Sequence, residues 1–351
     1  MSDTDRPVRV LDLTSSLAGA YATRLVASTG AHVTRVDPPG GHPLRRWSAT
    51  GAAIPDGGSG PMFGWLAGGH DAITVDAAAA DDVAELLAWV PSFDVVVWER
   101  DAPVTTGALT AAAPDTTVVA ITPFGLTGPW ADRPATEFTL QALSGGPALR
   151  GSRAWPPMSA GGQHGEYMVG VFAAVATMIA LRRAVVSGGG GVVDLSGLEA
   201  VVMTQLFNPI TMETQVGGVR PRRLRATVAD VCPTADGYVG FAVVNRLQHW
   251  HDFCAMIGQP DWADDRGLDS PALRAERSDD LNAVIRAWTT ARTTAEIVEL
   301  ATLMRIPCIE VGNGETIPQM DHFASERFYD VNPRDGFLQP APPFRMHPPI
   351  P

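Results

Sequence analysis

Runs of apolar residues, broken by glycine, proline and aspartate, divide the chain into alternating strands and helices. Residues 8–13, with RVLDL at their centre, form a compact apolar run that suits a buried parallel strand. In SSLAGAYATRLVASTG the apolar positions Leu17, Tyr21, Leu25 and Val26 recur at helical spacing, Ser15 or Ser16 can cap the start, and Gly30 ends it. AHVTRVD is a second strand finishing at Asp37, followed by the turn residues PPGGHP, so a βαβ unit opens the fold. Beyond a loop of glycines and prolines, residues 71–76 form a third strand, 82–89 a helix, 93–99 the most strand-like run, and 118–122 another strand. This alternation predicts an α/β fold built on a doubly wound, mostly parallel sheet.

The longest apolar segment lies in SAGGQHGEYMVGVFAAVATMIALRR, residues 159–183. From 167 to 181 the apolar residues occupy every face at helical spacing, which predicts a helix enclosed by protein. Those fifteen residues, closed by Arg182 and Arg183, fall short of the roughly 18 expected of a membrane span, so no membrane crossing is expected. Glu166 falls in the first turn, where unpaired N–H groups and the helix dipole favour negative charge, and is expected to stay ionised at neutral pH. Gly161, Gly162 and Gly165 allow backbone amides there to face a bound oxyanion. A carboxylate that only complements a helix start would show the same local pattern.

SGGGGVVDLSGLEAVVM then reads as a turn, a strand and a helix. A polar, arginine-rich linker over residues 212–226 leads into TADGYVGFAVVN, a turn and a strand, followed by a helix at 247–256 and amphipathic helices to about residue 310. QPAPPFRMHPPIP cannot form a regular helix or a central strand and predicts an extended arm. The implied organisation is a large domain over 1–211, a small α+β domain over 227–330 and a proline-rich arm over 331–351.

A chain of 351 residues allows roughly two domains of ~100 to 200 residues. Its 45% hydrophobic and 18% charged content describes a globular protein. The formal net charge of −12 argues against nonspecific nucleic-acid binding, and the arginine clusters at 45–46, 182–183 and 220–225 are either local phosphate sites or solvated surface. Cys232, Cys254 and Cys308 lack CxxC spacing, which predicts reduced thiols and no structural metal. The polar start MSDTDRP makes the cytoplasm the expected compartment. Ligands of such sheets bind beyond the carboxyl ends of the strands, here residues 14–18, 37–46, 98–101 and 122–127. LTSSLAGAYA is not a GxGxxG fingerprint, which disfavours a dinucleotide redox cofactor.

Four long segments carry a more specific signal: RVLDLTSSLAGAYATRLVASTGAHVTRVDPPGGHPLR, ITPFGLTGPWADRPATEFTLQALSG, EYMVGVFAAVATMIALRRAVVSGGGGVVDLS and IPCIEVGNGETIPQMDHFASERFY. In this order they resemble segments of the family III CoA-transferases, which include formyl-CoA and carnitine-CoA transferases and α-methylacyl-CoA racemase. The resemblance runs over roughly residues 7–345. It implies a Rossmann-like large domain, a smaller domain and two interlocked subunits, as a homodimer or as a heterodimer with a homologous chain. It also implies an acyl-CoA thioester and a small carboxylic acid as substrates, with no permanently bound cofactor, and a C-terminus shorter than that of many relatives.

In the transferases of that family an aspartate at the start of the core helix attacks the thioester. The matching position, four residues before the helix glycine Gly170, is Glu166, and the Gly161–Gly165 loop would supply the oxyanion site. Where the pattern has LNRGKRSI this chain has LAGGHDAI, which puts His70 and Asp71 at basic positions. Where it has VVENFRPG this chain has VVWERDAP, which replaces Asn and Phe contacts to CoA by Glu99 and Arg100. Ser16, Arg35, Arg45 and the turn residues Phe124 and Gly125 complete the candidate CoA contacts. The racemase branch is disfavoured, because its histidine falls near Thr136, and His164 is the local substitute. Three readings follow: a CoA-transferase with a covalent glutamyl intermediate; a non-catalytic or regulatory subunit of a heteromeric CoA-transferase; or a lyase, isomerase or hydrolase with a redirected pocket.

Overall fold

The computed structural model describes residues 6–150, 156–205, 228–242, 246–325 and 328–344. The expected linker, with the 220–225 arginine run, and the last residues of the expected arm lie outside them. The chain divides into two compact units: one draws on Met1–Leu149, Pro157–Arg220 and Arg327–Pro351, the other mainly on Pro221–Glu326.

The large unit is built on six strands: β1 (Arg9–Leu13), β2 (His32–Asp37), β3 (Asp71–Thr74), β4 (Val95–Trp98), β5 (Thr117–Thr122) and β6 (Gly191–Ser196). All pair in parallel, in the order β3-β2-β1-β4-β5-β6. Because successive side chains point to opposite faces, Val95 and Val97 enter one core layer while Val96 and Trp98 enter the other. Helices cover both faces: α1 (Leu17–Ala27), α2 (Pro61–Ala67), α3 (Ala80–Trp89), α4 (Thr106–Ala112), α5 (Glu137–Leu143), α6 (Gly146–Leu149), α7 (His164–Ser187) and α8 (Gly197–Gln205). Residues of α1, α7 and α8 share one layer with Val10, Val95 and Val119, while Leu86 of α3 and Leu109 of α4 share the other with Leu11 and Val96. The doubly wound sheet expected from the sequence is therefore present.

Two glycines bring α1 close to its neighbours. A Cβ on Gly19 would lie 2.2 Å from Thr14 Oγ1, at the turn out of β1, and one on Gly170 would lie 2.7 Å from the Ala18 carbonyl oxygen. The second contact lets α7 cross α1 at backbone distance and fixes where the start of α7 falls.

The core helix departs from its sequence reading in extent and in burial. It runs past Arg182 and Arg183 to Ser187 and ends where Gly188 turns to φ +70°. Its inner side (Val169, Ala173, Ala174, Thr177, Ala180) is buried, but Val171, Val175, Met178, Ile179, Val185 and Val186 are exposed. An apolar pattern on every face thus corresponds here to one side packed on α1 and the sheet and another side open. By length and composition the helix is apolar enough to cross a membrane.

Part of the expected arm is a hairpin. β10 (Tyr329–Val331) and β11 (Leu338–Pro340) pair antiparallel, and the segment docks on α2: Asn332 Nδ2 donates to the Gly64 carbonyl (3.2 Å) and Trp65 Nε1 to the Pro340 carbonyl (3.2 Å). In the small unit, β7 (Val231–Pro233), β8 (Tyr238–Phe241) and β9 (Cys308–Glu310) form an antiparallel sheet in the order β7-β8-β9. Its core gathers Trp250, Phe253, Leu281, Ile285 and Ile297. All three cysteines are free thiols, with Cys232 and Cys254 buried.

Candidate active site

The strand order reverses between β1 and β4, and the crevice beyond the carboxyl ends of strands at such a point is where ligands of open α/β sheets bind. A cleft of about 380 Å³ opens there, lined by the exits of β1, β4 and β5 and by the starts of α5, α7 and α8. Asp12 shapes its rim from below: its buried carboxylate accepts the Thr14 N–H (3.0 Å), the Thr14 hydroxyl (2.7 Å) and the Thr23 hydroxyl (2.9 Å). This locks the turn from β1 into α1 and aims the first amides of α1 at the cleft.

Those amides meet a carboxylate of the protein itself. Glu99, just past β4 and 8% exposed, accepts the Ser15 N–H (2.9 Å) and the Ser16 N–H (3.0 Å) on Oε2 and the Ser16 hydroxyl on Oε1. Ser16 Oγ in turn caps α1 by accepting the Gly19 N–H at 3.1 Å. Burial pushes the Glu99 pKa up to about 7, against the lowering effect of the Ser15 and Ser16 hydrogen bonds. The Ser15 hydroxyl donates to Asp101.

Glu166 reaches the same cleft from the first turn of α7. Its Oε2 accepts the Ala18 N–H at 2.9 Å, so one carboxylate touches the N-terminal ends of two helices. Burial raises its pKa above the usual carboxylate range; the Ala18 hydrogen bond opposes the shift and the Glu137 charge adds to it. The sequence expectation took account of the dipole and not of the enclosure. The backbone before the helix is strained, since Gln163 is held at φ +55°.

Ser16, Glu99, Arg100, Gly165 and Glu166 are brought together in this cleft. Gly161 and Gly162 are exposed and do not line it, and the Gly165 N–H donates to Glu137 Oε1 at 2.9 Å. Of the glycines expected to face an oxyanion, the buried one therefore has its amide already taken by a carboxylate. His164 is exposed and does not line the cleft, although the next residue, Gly165, does. Arg100 pairs with Asp132 at 3.2 Å and reaches the Gly125 carbonyl at 3.4 Å. Phe124 packs edge-on against Trp130, 5.4 Å between ring centres, and Gly125 sits at φ +89° beside Asp194, so both shape the turn beyond β5.

Arg35, expected as a CoA contact, is engaged within the protein. It is buried, donates through Nε (2.6 Å) and a terminal nitrogen (3.1 Å) to Asp37, and gives a third hydrogen bond to the Ala67 carbonyl (3.0 Å). Arg45 joins the same Asp37 at 3.3 Å and donates to Ser59 at 3.0 Å. Both guanidiniums lie against the Phe63 ring, at 4.8 and 4.4 Å. Burial brings the His70 pKa down to about 4, so the ring is neutral, and its Nδ1 has no partner.

A second cleft of about 210 Å³ lies beyond β1, β2 and β3 and shares Ser15 and Asp101 with the first. Its lining residues include Asp76 and His42 and no arginine. Leu44 N–H donates to His42 Nδ1, which leaves Nε2 to donate to the Thr14 carbonyl at 3.2 Å, and burial lowers the His42 pKa. Sequence reasoning did not single out Glu137, Asp132 or Arg133, all of which line the first cleft. The cap that starts α5, Thr136 with Thr139, was the available signal for Glu137.

The chain is similar to several characterised proteins. It is 29% identical to succinyl-CoA–D-citramalate CoA-transferase of Chloroflexus aurantiacus over 342 residues, covering 91% of this chain and 81% of that one. It is 29% identical to a subunit, BbsE, of succinyl-CoA:(R)-benzylsuccinate CoA-transferase of Thauera aromatica over 360 residues, covering 95% and 86%. Among solved structures, a CAIB/BAIF family protein from Brucella suis superposes with a TM-score of 0.84 at 21% identity, covering 97% of this chain and 91% of that one, which is a likeness of fold. Residues 6–349 match the model of CoA-transferase family III, and the chain belongs to that family.

Proposed function

We propose that the protein is an acyl-CoA:carboxylate CoA-transferase in which Glu166 is the nucleophile. The observation that carries this reading is the hydrogen bond from Ala18 to Glu166 inside the cleft. Holding Oε2 restrains the carboxylate in the cleft and leaves Oε1 for attack on a bound thioester, which replaces a bimolecular encounter by a positioned one. Attack forms a C–O bond to the acyl carbon, breaks the C–S bond and releases the CoA thiolate, leaving a glutamyl–acyl anhydride. The thiolate then attacks the glutamyl carbonyl, which frees the donor carboxylate and leaves a glutamyl–CoA thioester. An acceptor carboxylate displaces the thiolate to form a second anhydride, and the thiolate attacks the new acyl carbon, regenerating Glu166. A raised pKa makes the carboxylate a better nucleophile when it is ionised, and the two adjoining clefts allow an extended thioester to lie across the Ser15–Asp101 contact.

The test is intact-mass analysis after exposure to a panel of acyl-CoAs, with hydroxylamine trapping. An adduct on the wild type, converted to a hydroxamate at Glu166 and absent from Glu166→Gln, is the expected result. Its absence across the panel would exclude the mechanism for this chain acting alone.

A second reading, a non-catalytic subunit paired with a homologous chain, is favoured by the commitment of Arg35 and Arg45 to Asp37. In either reading the exposed apolar side of α7 is covered by another subunit, a second copy or a homologue; interlocking of the two chains belongs to the same proposal.

A further inference from the structure

The thioester proposed as substrate carries two chemically different parts, an uncharged pantetheine arm and a set of phosphates. In open α/β sheets a phosphate commonly sits at the N-terminus of the first helix, where free amides and the dipole receive it. Here that position is filled from within. The Ser15 and Ser16 amides and the Ser16 hydroxyl all donate to Glu99, whose buried carboxylate is the anion of this helix end.

The surroundings are no more hospitable to phosphate. Among the described residues, Asp76 and Asp101 line the second cleft with His42 as the basic residue of its lining, and the chain has no lysine. Arg35 and Arg45, the cations at the ends of β2, are tied to Asp37. In the first cleft Arg100 is paired with Asp132, and Glu99, Asp101, Glu137 and Glu166 stand along the rest of the wall beside Arg133. A ligand with a row of negative charges would be repelled there, while a neutral chain with amide groups would not.

We propose that these clefts recognise the thiol carrier through its uncharged pantetheine arm and not through its phosphates, with Glu99 as the specificity-determining residue that keeps a phosphate out of the first turn of α1. This rests on the CoA-transfer reading and deepens it. In free CoA bound this way the phosphates project into solvent, so a carrier that lacks them binds nearly as well.

The experiment compares CoA with D-pantetheine, which bear no acyl group and so do not depend on which acid is transferred. Calorimetry on the full-length protein at pH 8 is expected to give dissociation constants within about threefold of each other, with little dependence on salt. Glu99→Gln is expected to tighten CoA by about tenfold and to leave pantetheine within about twofold. CoA binding more than about thirtyfold tighter than pantetheine to the wild type would overturn the inference while leaving the transfer reading intact. So would a Glu99→Gln variant that shifts both ligands equally, since that is the mark of a structural role. Binding of neither ligand would overturn both readings together. The wild-type ratio and its salt dependence stand as a test even if the variant does not fold.

Discussion

The Ala18 N–H lies 2.9 Å from Glu166 Oε2, a hydrogen bond between residues 148 positions apart that joins the first turns of α1 and α7. Its length is set by how closely the two helices cross, and that approach depends on Gly170. In Gly170→Ala the new methyl would stand 2.7 Å from the Ala18 carbonyl and 3.1 Å from Tyr21 Cβ, so α1 must move. The variant is expected to lose ~1–3 kcal/mol in urea unfolding. It should also slow the formation of any Glu166 adduct by at least about tenfold, because a shift of about 1 Å at the nucleophile is enough for that.

Glu99 makes stability depend on pH. Its pKa is raised from an unfolded value of 4.5 to about 7, so between these limits the folded chain holds a proton that the unfolded chain has released. The contribution is fully present below pH 4.5 and is lost as pH rises through 7, with a total of about 3 kcal/mol at ~1.4 kcal/mol per unit. The difference in unfolding free energy between the wild type and Glu99→Gln should therefore change across this window and level off above it. A flat difference from pH 4.5 to 8 would show that Glu99 is not the titrating group.

Asp37 holds two arginines, one of them buried. Asp37→Ala leaves the Arg35 guanidinium without its counter-charge, and breaking such a pair from one side costs about 3–5 kcal/mol. Chemical denaturation should show that loss. Replacing Arg45 alone, whose side chain is 30% exposed, should cost about 1 kcal/mol or less.

On α7, Ile179 is 65% exposed and Val175 50% exposed. Ile179→Glu with Val175→Glu should shift the protein toward a smaller species in sedimentation equilibrium, since burying two carboxylates at a subunit contact is unfavourable. An unchanged mass would mean that this side of α7 faces no subunit.

The strands of the large unit were legible because buried parallel strands are continuous apolar runs, and residues 8–13, 93–99 and 118–122 read that way directly. Glu166 was legible as a first-turn carboxylate for the same local reason. The burial of α7 was not, because an apolar pattern on all sides is the same whether the second side meets this chain or another. Arg35 was expected as a CoA contact; its pairing with Asp37 reflects strand alternation, which sets residues 35 and 37 on one face, while its ring partner Phe63 comes from a helix across a long loop. Glu99 stood out as an unusual residue at a strand end. That it closes the start of α1 depends on β4 lying beside β1, a pairing that no local pattern encodes.

The hairpin of β10 and β11 has a consequence for how the protein is made. A ribosome delivers α2 early, yet the strands that lie against it emerge only after the whole small unit has been synthesised. Until then the Trp65 indole N–H and the Gly64 carbonyl lack the hydrogen bonds that the hairpin supplies, and the nascent large unit is a body with an open flank. The small unit is an insertion within the larger one, and a release from the ribosome that stops short of residue 328 would leave a large unit whose stability, more than its active-site chemistry, is the first thing lost.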